Sequence, residues 1–509
     1  MVWSAITILT FQIILLAVFC FFAFFNYLYG IASLWKPQIR RTNPSGKKIA
    51  VVIVSFNEKY VLEETIRACD GLTYSNKLTV LADDSTDPQI VENLRRLAIS
   101  RGCKKVEGHP FLQEIPDDNG QIRREEIEIW ESENFVLFHR PVNIGFKGGS
   151  LKKVLQYLGS RNIEYMYLLD ADWHPQKDAL EITLGVLEAS DNVAFVQTKR
   201  VSFPKGMNLF QKYVALVEEG CYYVDFEGRQ VLGHPTLFSG CCTLFRLDVV
   251  SQVGGFTPGH LTEDLDLTDR LWLAGWKGVY EGDVINYGEV PFTYDHYRRQ
   301  QERWAAGSSR ALREYIWPIL KTKKLGWFEK MAAIRQNAYF ITTMFTGFAI
   351  LLGMITVSWL TLFWNTYAVE YYLYILGVMK VPFVVLLYGC IFSNFVEPLL
   401  MILFKKRNYW DLMHLPMMVW YAWSVLYTYI IGNIKGLFGV KLDWFRTPKF
   451  IRGQADQSNQ APISVRVLNL VTCFAILCFY FSEGWTFGWF DEFALLLIPA
   501  FLLASIKLK

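Results

Sequence analysis

Residues Ile6 to Tyr29 form one apolar run without a single charge. At about 1.5 Å per residue a helix of that length crosses ~30 Å of hydrocarbon. Further apolar runs lie towards the C-terminus, whereas most acidic residues fall between Glu58 and Glu302. That division predicts a polar domain inserted between membrane segments. No small-residue cleavage site follows the first run, which is too long for a signal-peptide core, so it is expected to stay as an anchor. Lys36, Arg40, Arg41, Lys47 and Lys48 come next with no acid among them. The positive-inside rule then places the large domain in the cytoplasm and the N-terminus outside.

Runs at Ala338–Trp364 and Val381–Phe404 read as a transmembrane hairpin whose return is marked by Lys405-Lys406-Arg407. Leu412–Ile431 is long enough to span, but spanning would put Lys435, Lys441, Arg446, Lys449, Arg452 and Arg466 outside. Its Trp and Tyr residues suit a headgroup-level helix instead. Val467–Ser482 and Trp489–Ile506 form a last hairpin. Five crossings result, and a multi-pass protein of the plasma membrane is expected. The domains read as 1–35 anchor, 36–306 catalytic, 307–337 interfacial, 338–404 hairpin, 405–466 interfacial helix with a gating-like loop, and 467–509 hairpin. A net charge of +3 with no basic stripe excludes a nucleic-acid partner. The nine cysteines show no CxxC spacing and read as reduced, packed residues, Cys241-Cys242 included.

Inside the polar domain, strand-like runs at Lys48–Ser55, Leu78–Leu81, Phe135–Phe138, Met166–Leu169 and Val193–Gln197 alternate with helical patterns at Tyr60–Cys69, Ile90–Ser100 and Ser150–Leu158. The alternation predicts an α/β domain with a mostly parallel, doubly wound sheet. Ligands bind such sheets at the carboxyl ends of the strands. The polar residues there are therefore site candidates: Asn57 and Glu58, Asp83 and Asp84, Asp170 and Asp172, and Gln197. Lys104–Asn134, with nine acids and four bases, reads as a solvated insertion.

Asp170-x-Asp172 follows an apolar strand and puts two carboxylates on the same side of an extended chain, one of which can reach a hard divalent ion, Mg²⁺ or Mn²⁺, that also takes diphosphate oxygens. Thr262-Glu263-Asp264 follows a Gly254-Gly255 turn and starts a helical pattern. Gln300-x-x-Arg303-Trp304 opens another, with an arginine suited to diphosphate and an indole face suited to a sugar ring. Asn143 to Leu151 is a glycine-rich approach to a helix, with Lys147 where phosphate can sit.

Asp83-Asp84, Asp170-x-Asp172, Thr262-Glu263-Asp264 and Gln300-x-x-Arg303-Trp304, in that order between Lys48 and Trp304, resemble the family-2 membrane-bound processive β-glycosyltransferases, and Asp83-Asp84-Ser85-Thr86-Asp87-Pro88 looks most like the glucomannan, cellulose-synthase-like branch. The resemblance implies a Rossmann-like GT-A domain between transmembrane helices and inverting transfer of a hexose. The donor would be a nucleotide-diphosphate sugar of the UDP-glucose or GDP-mannose type, and the product a β-linked polysaccharide translocated across the membrane. It implies Asp264 as general base, and Asp83 and Asp84 near the nucleoside. Lys147, Gln300 and Arg303 would lie near the diphosphate, and Glu263 and Trp304 near the acceptor. The motifs depart from the family pattern at Phe146-Lys147-Gly148-Gly149-Ser150 and at Cys241-Cys242. Two other readings stand beside this one: a non-processive enzyme that glycosylates a membrane lipid, and a non-enzymatic transporter or scaffold, for which Glu397 is the one intramembrane candidate.

Overall fold

A computed structural model describes residues 2–116, 122–203, 206–342, 345, 389, 392–406, 408–440 and 466–474. Its strands are β1 (Ile49–Ser55), β2 (Lys77–Asp83), β3 (Lys104–Lys105), β4 (Leu112–Pro116), β5 (Ile122–Glu126), β6 (Glu128–Glu131), β7 (Phe135–His139), β8 (Tyr165–Asp170), β9 (His174–Pro175), β10 (Val193–Ser202), β11 (Thr243–Arg246) and β12 (Lys277–Gly288). Ten of them form one sheet in the order β3-β6-β7-β2-β1-β8-β11-β10-β12-β9. The pairs β7–β2, β2–β1, β1–β8 and β10–β12 are parallel. β11 lies antiparallel between β8 and β10.

Residues alternate faces along β1, and each face meets its own layer of helices. Ile49, Val51 and Ile53 pack with Leu62 and Ile66 of α2 (Leu62–Asp70), Leu94 of α3 (Pro88–Ser100) and Leu184 of α5 (Ala179–Glu188). Ala50 and Val52 pack with Leu151 and Val154 of α4 (Phe146–Ser160), Val249 of α8 (Leu247–Gln252) and Leu267 of α9 (Glu263–Ala274). This is the doubly wound arrangement expected from the alternation. Lys104–Asn134 is not wholly solvated: β6 extends the sheet beside β7, and Ile127 and Ile129 are buried against Phe138. Only the β4–β5 hairpin stands apart.

α1 (Val2–Ala32) is a 31-residue helix. Its C-terminal part docks on α7 (Phe226–Leu232), where a Cβ on Gly228 would stand 2.2 Å from the Tyr29 carbonyl oxygen. α7 continues α6 (Leu209–Gly220) through a π-helical turn, Cys221–Asp225. Buried charges secure this corner. Arg335 of α11 (Trp327–Asn337) donates to Asp225 at 2.6 Å and to Asn26 at 2.6 Å, and Glu397 lies 3.9 Å from Arg335. Lys405 donates to Glu227 at 2.7 Å. Leu412–Ile431 falls within a 3₁₀ turn and two helices, and the second helix, Leu426–Phe438, lies tight on α10 (Tyr294–Lys321). A Cβ on Gly436 would sit 2.1 Å from the Ala306 carbonyl, so only glycine permits that approach. α10 runs unbroken across residue 306.

Among the described residues no helix is long and apolar enough to cross a membrane. The side chains of α1 are described mainly from Ala17 onward. Most of the 338–404 hairpin, the loop 441–465 and the last hairpin beyond residue 474 lie outside the described residues.

Candidate active site

The sheet order reverses at β1 and β8, so the carboxyl ends of these two strands open a crevice, the usual ligand position in such sheets. A cavity of about 180 Å³ occupies it. Glu58, Asp84, Lys147, Asp170, Asp172, Glu263, Asp264, Gln300, Arg303 and Trp304 all line it. Motifs up to 246 residues apart in sequence, Glu58 to Trp304, thus meet in one place.

β8 ends at Asp170 and the chain turns at once, so Asp170 and Asp172 do not extend along one strand as the D-x-D spacing suggested. Asp170 is partly exposed and Asp172 buried. Lys147, in the first turn of α4, donates to Asp170 Oδ1 at 2.5 Å and to the Gly240 carbonyl at 2.8 Å, with Glu263 Oε1 at 3.7 Å. Burial works against its charge, but Asp170 and Glu263 outweigh that and hold its pKa above the ordinary lysine value. The glycines beside it serve close packing. A Cβ on Gly148 would meet the Thr257 carbonyl at 2.4 Å, and one on Gly149 the Ile144 carbonyl at 2.2 Å.

Glu263 and Asp264 open α9, whose N-terminal dipole favours negative charge. Asp264 Oδ1 also accepts the Leu265 N–H at 2.9 Å. Burial nevertheless prevails and pushes both carboxyls up, against the lowering influence of Lys147 and Arg303. Gly240, at φ +93°, brings its backbone to Asp264: a Cβ there would be 3.5 Å from Oδ2. Arg303 donates to the Leu261 carbonyl at 3.1 Å, and burial holds its pKa below the usual guanidinium value. Among the described residues, Asn143 Oδ1, Thr262 Oγ1 and Gln300 Oε1 are buried without a hydrogen-bond partner, and all three residues line the cavity. Orphaned polar atoms of this kind point to a ligand with hydroxyl or amide groups.

Three candidates are not brought into the lining. Asp83 is fully buried beneath it, bonded to Ser55, Ser85 and His139. Asp84 points the other way along the same backbone and reaches the cavity, gripped by Arg140 Nε at 2.7 Å and by Ser150. Gln197 ties down the loop that carries Gly240, accepting from Ser239 N and donating to the Cys241 carbonyl. Asn57, at φ +52°, accepts from Thr86 N and Asp87 N and shapes the turn after β1. Cys241 and Cys242 are buried in the core with their sulfurs 3.7 Å apart. The lining also holds residues that the strand-end search passed over: Asn143, Trp173, Arg200, Glu218 and Glu289. Arg200 follows Lys199 in the polar C-terminal half of β10, beyond the apolar run that marked the strand.

A tight His260, Asp266 and Glu314 group lies behind the site. Its oxygens are already committed, Asp266 to Thr257, Arg270 and Tyr315, and Glu314 to Arg310. It therefore reads as a brace between the loop before α9 and α10 rather than as a metal centre.

Relatives include a probable glucomannan 4-beta-mannosyltransferase 9 of Oryza sativa subsp. japonica, 26% identical over 306 residues, 58% of this chain and 52% of that protein. Glucomannan 4-beta-mannosyltransferase 2 of Arabidopsis thaliana is 27% identical over 294 residues, 56% of this chain and 49% of that protein. The chain spans about half the length of the curated relatives it matches. Among solved structures, mannosyltransferase PcManGT from Pyrobaculum calidifontis in complex with GDP-Man and Mn²⁺ is 16% identical, covering 85% of this chain and 99% of that one with a TM-score of 0.49. The family model described as glycosyl transferase family group 2 matches residues 165–432, which include Asp170, Asp264 and Arg303, and the chain belongs to that family.

Proposed function

We propose that this protein is an inverting hexosyltransferase that moves a sugar, mannose by the names of its relatives, from a nucleotide-diphosphate donor of the UDP-glucose or GDP-mannose type to the end of a β-linked polysaccharide. The observation that carries this reading is the single cavity in which Asp170, Asp172, Glu263 and Asp264 face Lys147, Arg303 and Trp304. The acceptor hydroxyl attacks the anomeric carbon in line with the departing diphosphate. Asp264 takes its proton as the new C–O bond forms, and the bond from the anomeric carbon to the phosphate oxygen breaks. Lys147 and Arg303 lie on the cavity wall where they offset the charge of the leaving diphosphate. Trp304 offers a flat face to the acceptor ring.

Asp170 and Asp172 supply only oxygen ligands, which suit Mg²⁺ or Mn²⁺, and Asp170 already holds a cation in the ammonium of Lys147. A divalent ion bound there would neutralise diphosphate charge. Excess EDTA is expected to stop transfer, and Mn²⁺ or Mg²⁺ to restore it. Undiminished turnover in EDTA would exclude the metal.

The charge pattern around the apolar runs supports a membrane setting with the catalytic domain in the cytoplasm and the product passing through the membrane helices. The full chain is expected to stay in the pellet when membranes are washed with alkaline carbonate, and release into the wash would refute insertion. The reaction is tested by incubating the detergent-purified chain with labelled GDP-mannose or UDP-glucose, metal and a β-linked oligosaccharide, then sizing the product. A ladder of longer saccharides is expected, and a product confined to a labelled lipid would favour the non-processive alternative.

A further inference from the structure

The cavity has a second wall, made of residues outside the proposed donor and metal set. Asp170 sits at the end of β8. On its β1–β2 side lie Glu58 and Asp84, and on its β10–β12 side lie Trp173, Arg200, Glu218 and Glu289. Arg200 projects from β10, and its guanidinium lies against two aromatic rings, 5.1 Å from the Trp173 centroid and 5.0 Å from that of Tyr222. Trp173 is held in turn against Gly288, where a Cβ would meet the indole at 2.4 Å. One Arg200 nitrogen donates to Cys241 Sγ at 3.3 Å, while its Nε is buried without a partner. Among the described residues Arg200 makes no ion pair. A half-buried guanidinium packed beside two aromatic rings, with donor capacity left over, is prepared for a ligand that accepts hydrogen bonds.

The charge around it narrows the ligand class. Glu218 and Glu289 line the cavity with Arg200. Sugar hydroxyls accept from a guanidinium and donate to carboxylates, so a neutral ring satisfies both kinds of group. A phosphate or uronate would bring another anion beside Glu218 and Glu289. We infer that Arg200, with Glu218 and Glu289, binds the terminal ring of a neutral saccharide acceptor and that this wall disfavours a phosphorylated lipid acceptor. This rests on the sugar-transfer reading above.

The test uses the full chain in detergent with GDP-mannose and Mn²⁺, with β-1,4-mannotriose or a polyprenyl phosphate as acceptor. Four quantities are measured: acceptor KM, kcat, acceptor-independent release of GDP, and GDP affinity. Arg200→Gln should raise the mannotriose KM by roughly tenfold or more, the loss of a hydrogen bond to a charged group. GDP affinity and acceptor-independent GDP release should stay at the parent's values. Arg200→Lys, which keeps the charge without the planar fork, should fall between the two. An unchanged KM in Arg200→Gln overturns the inference. So does lost GDP affinity at an unaltered unfolding midpoint, or a parent enzyme that prefers the polyprenyl phosphate. If Arg200→Gln does not fold, Glu289→Gln probes the same wall without disturbing the aromatic pair, and an unchanged KM there overturns it equally. A parent that turns over no nucleotide sugar at all would instead refute the transfer reading itself.

Discussion

Asp264→Asn should lower turnover by at least ~10²-fold while nucleotide and metal affinity stay near the parent's, because proton transfer by a placed base contributes ~10²–10⁴-fold. The change preserves size and removes basicity. Three neighbouring cavity carboxylates are already engaged by cations, Asp84 by Arg140, Asp170 by Lys147, and Glu263 with Lys147 at 3.7 Å, which makes them poorer proton acceptors than Asp264. Burial pushes its pKa up, which makes it a stronger base than an exposed aspartate. The direction of the pH effect follows. Only the ionised carboxylate accepts a proton, so kcat/KM should fall as pH drops through the raised pKa, with the acid limb lying above the ordinary aspartate value of about 3.9. Measuring kcat/KM across pH checks both points. Parent-level transfer by Asp264→Asn would mean that the base is elsewhere, and loss of nucleotide binding would move Asp264 into the donor shell.

Arg140→Met should destabilise the folded domain by about 3–5 kcal/mol, the usual cost of removing one partner from a buried pair. Arg140 and Asp84 are both almost wholly buried, and the guanidinium also donates to the Ile144 carbonyl at 3.0 Å. Burial drives the Asp84 carboxyl up while Arg140 pulls it down, so deleting the arginine leaves burial unopposed apart from Ser150. The same substitution at Arg67, whose pair with Glu63 is largely exposed at 3.1 Å, should cost no more than about 0.5 kcal/mol. Denaturant unfolding of the two variants side by side makes the comparison. Equal effects would show that the Arg140 pair is no more than a surface contact in energy.

The sequence by itself carried everything that depends on local pattern. Short continuous apolar runs that alternate with helical patterns read as buried strands, so β1, β2, β7, β8 and β10 were legible to within a few residues, apart from the C-terminal half of β10. The rule that ligands lie at strand ends then led to Asp84, Asp170 and Asp172, and ordered short motifs led to Glu263, Asp264, Gln300, Arg303 and Trp304. All of these line one cavity. Decisions that depend on which side a backbone turns, or on partners far away in the chain, were made only by the tertiary structure. Asp83 and Asp84 are adjacent, yet alternation sends one into the core beside His139 and the other to the cavity. Gln197 ends the apolar run of β10 but is consumed by the loop around Cys241, because β11 inserts antiparallel between β8 and β10 and brings that loop over it. Arg200 acquires its role from Trp173 and Tyr222, each more than twenty residues away, and no spacing rule links the three. Chemistry was legible because carboxylates and glycines are costly where they serve no purpose. Its final geometry was not, because the direction of a side chain is settled by the packing of elements that meet only in the folded chain.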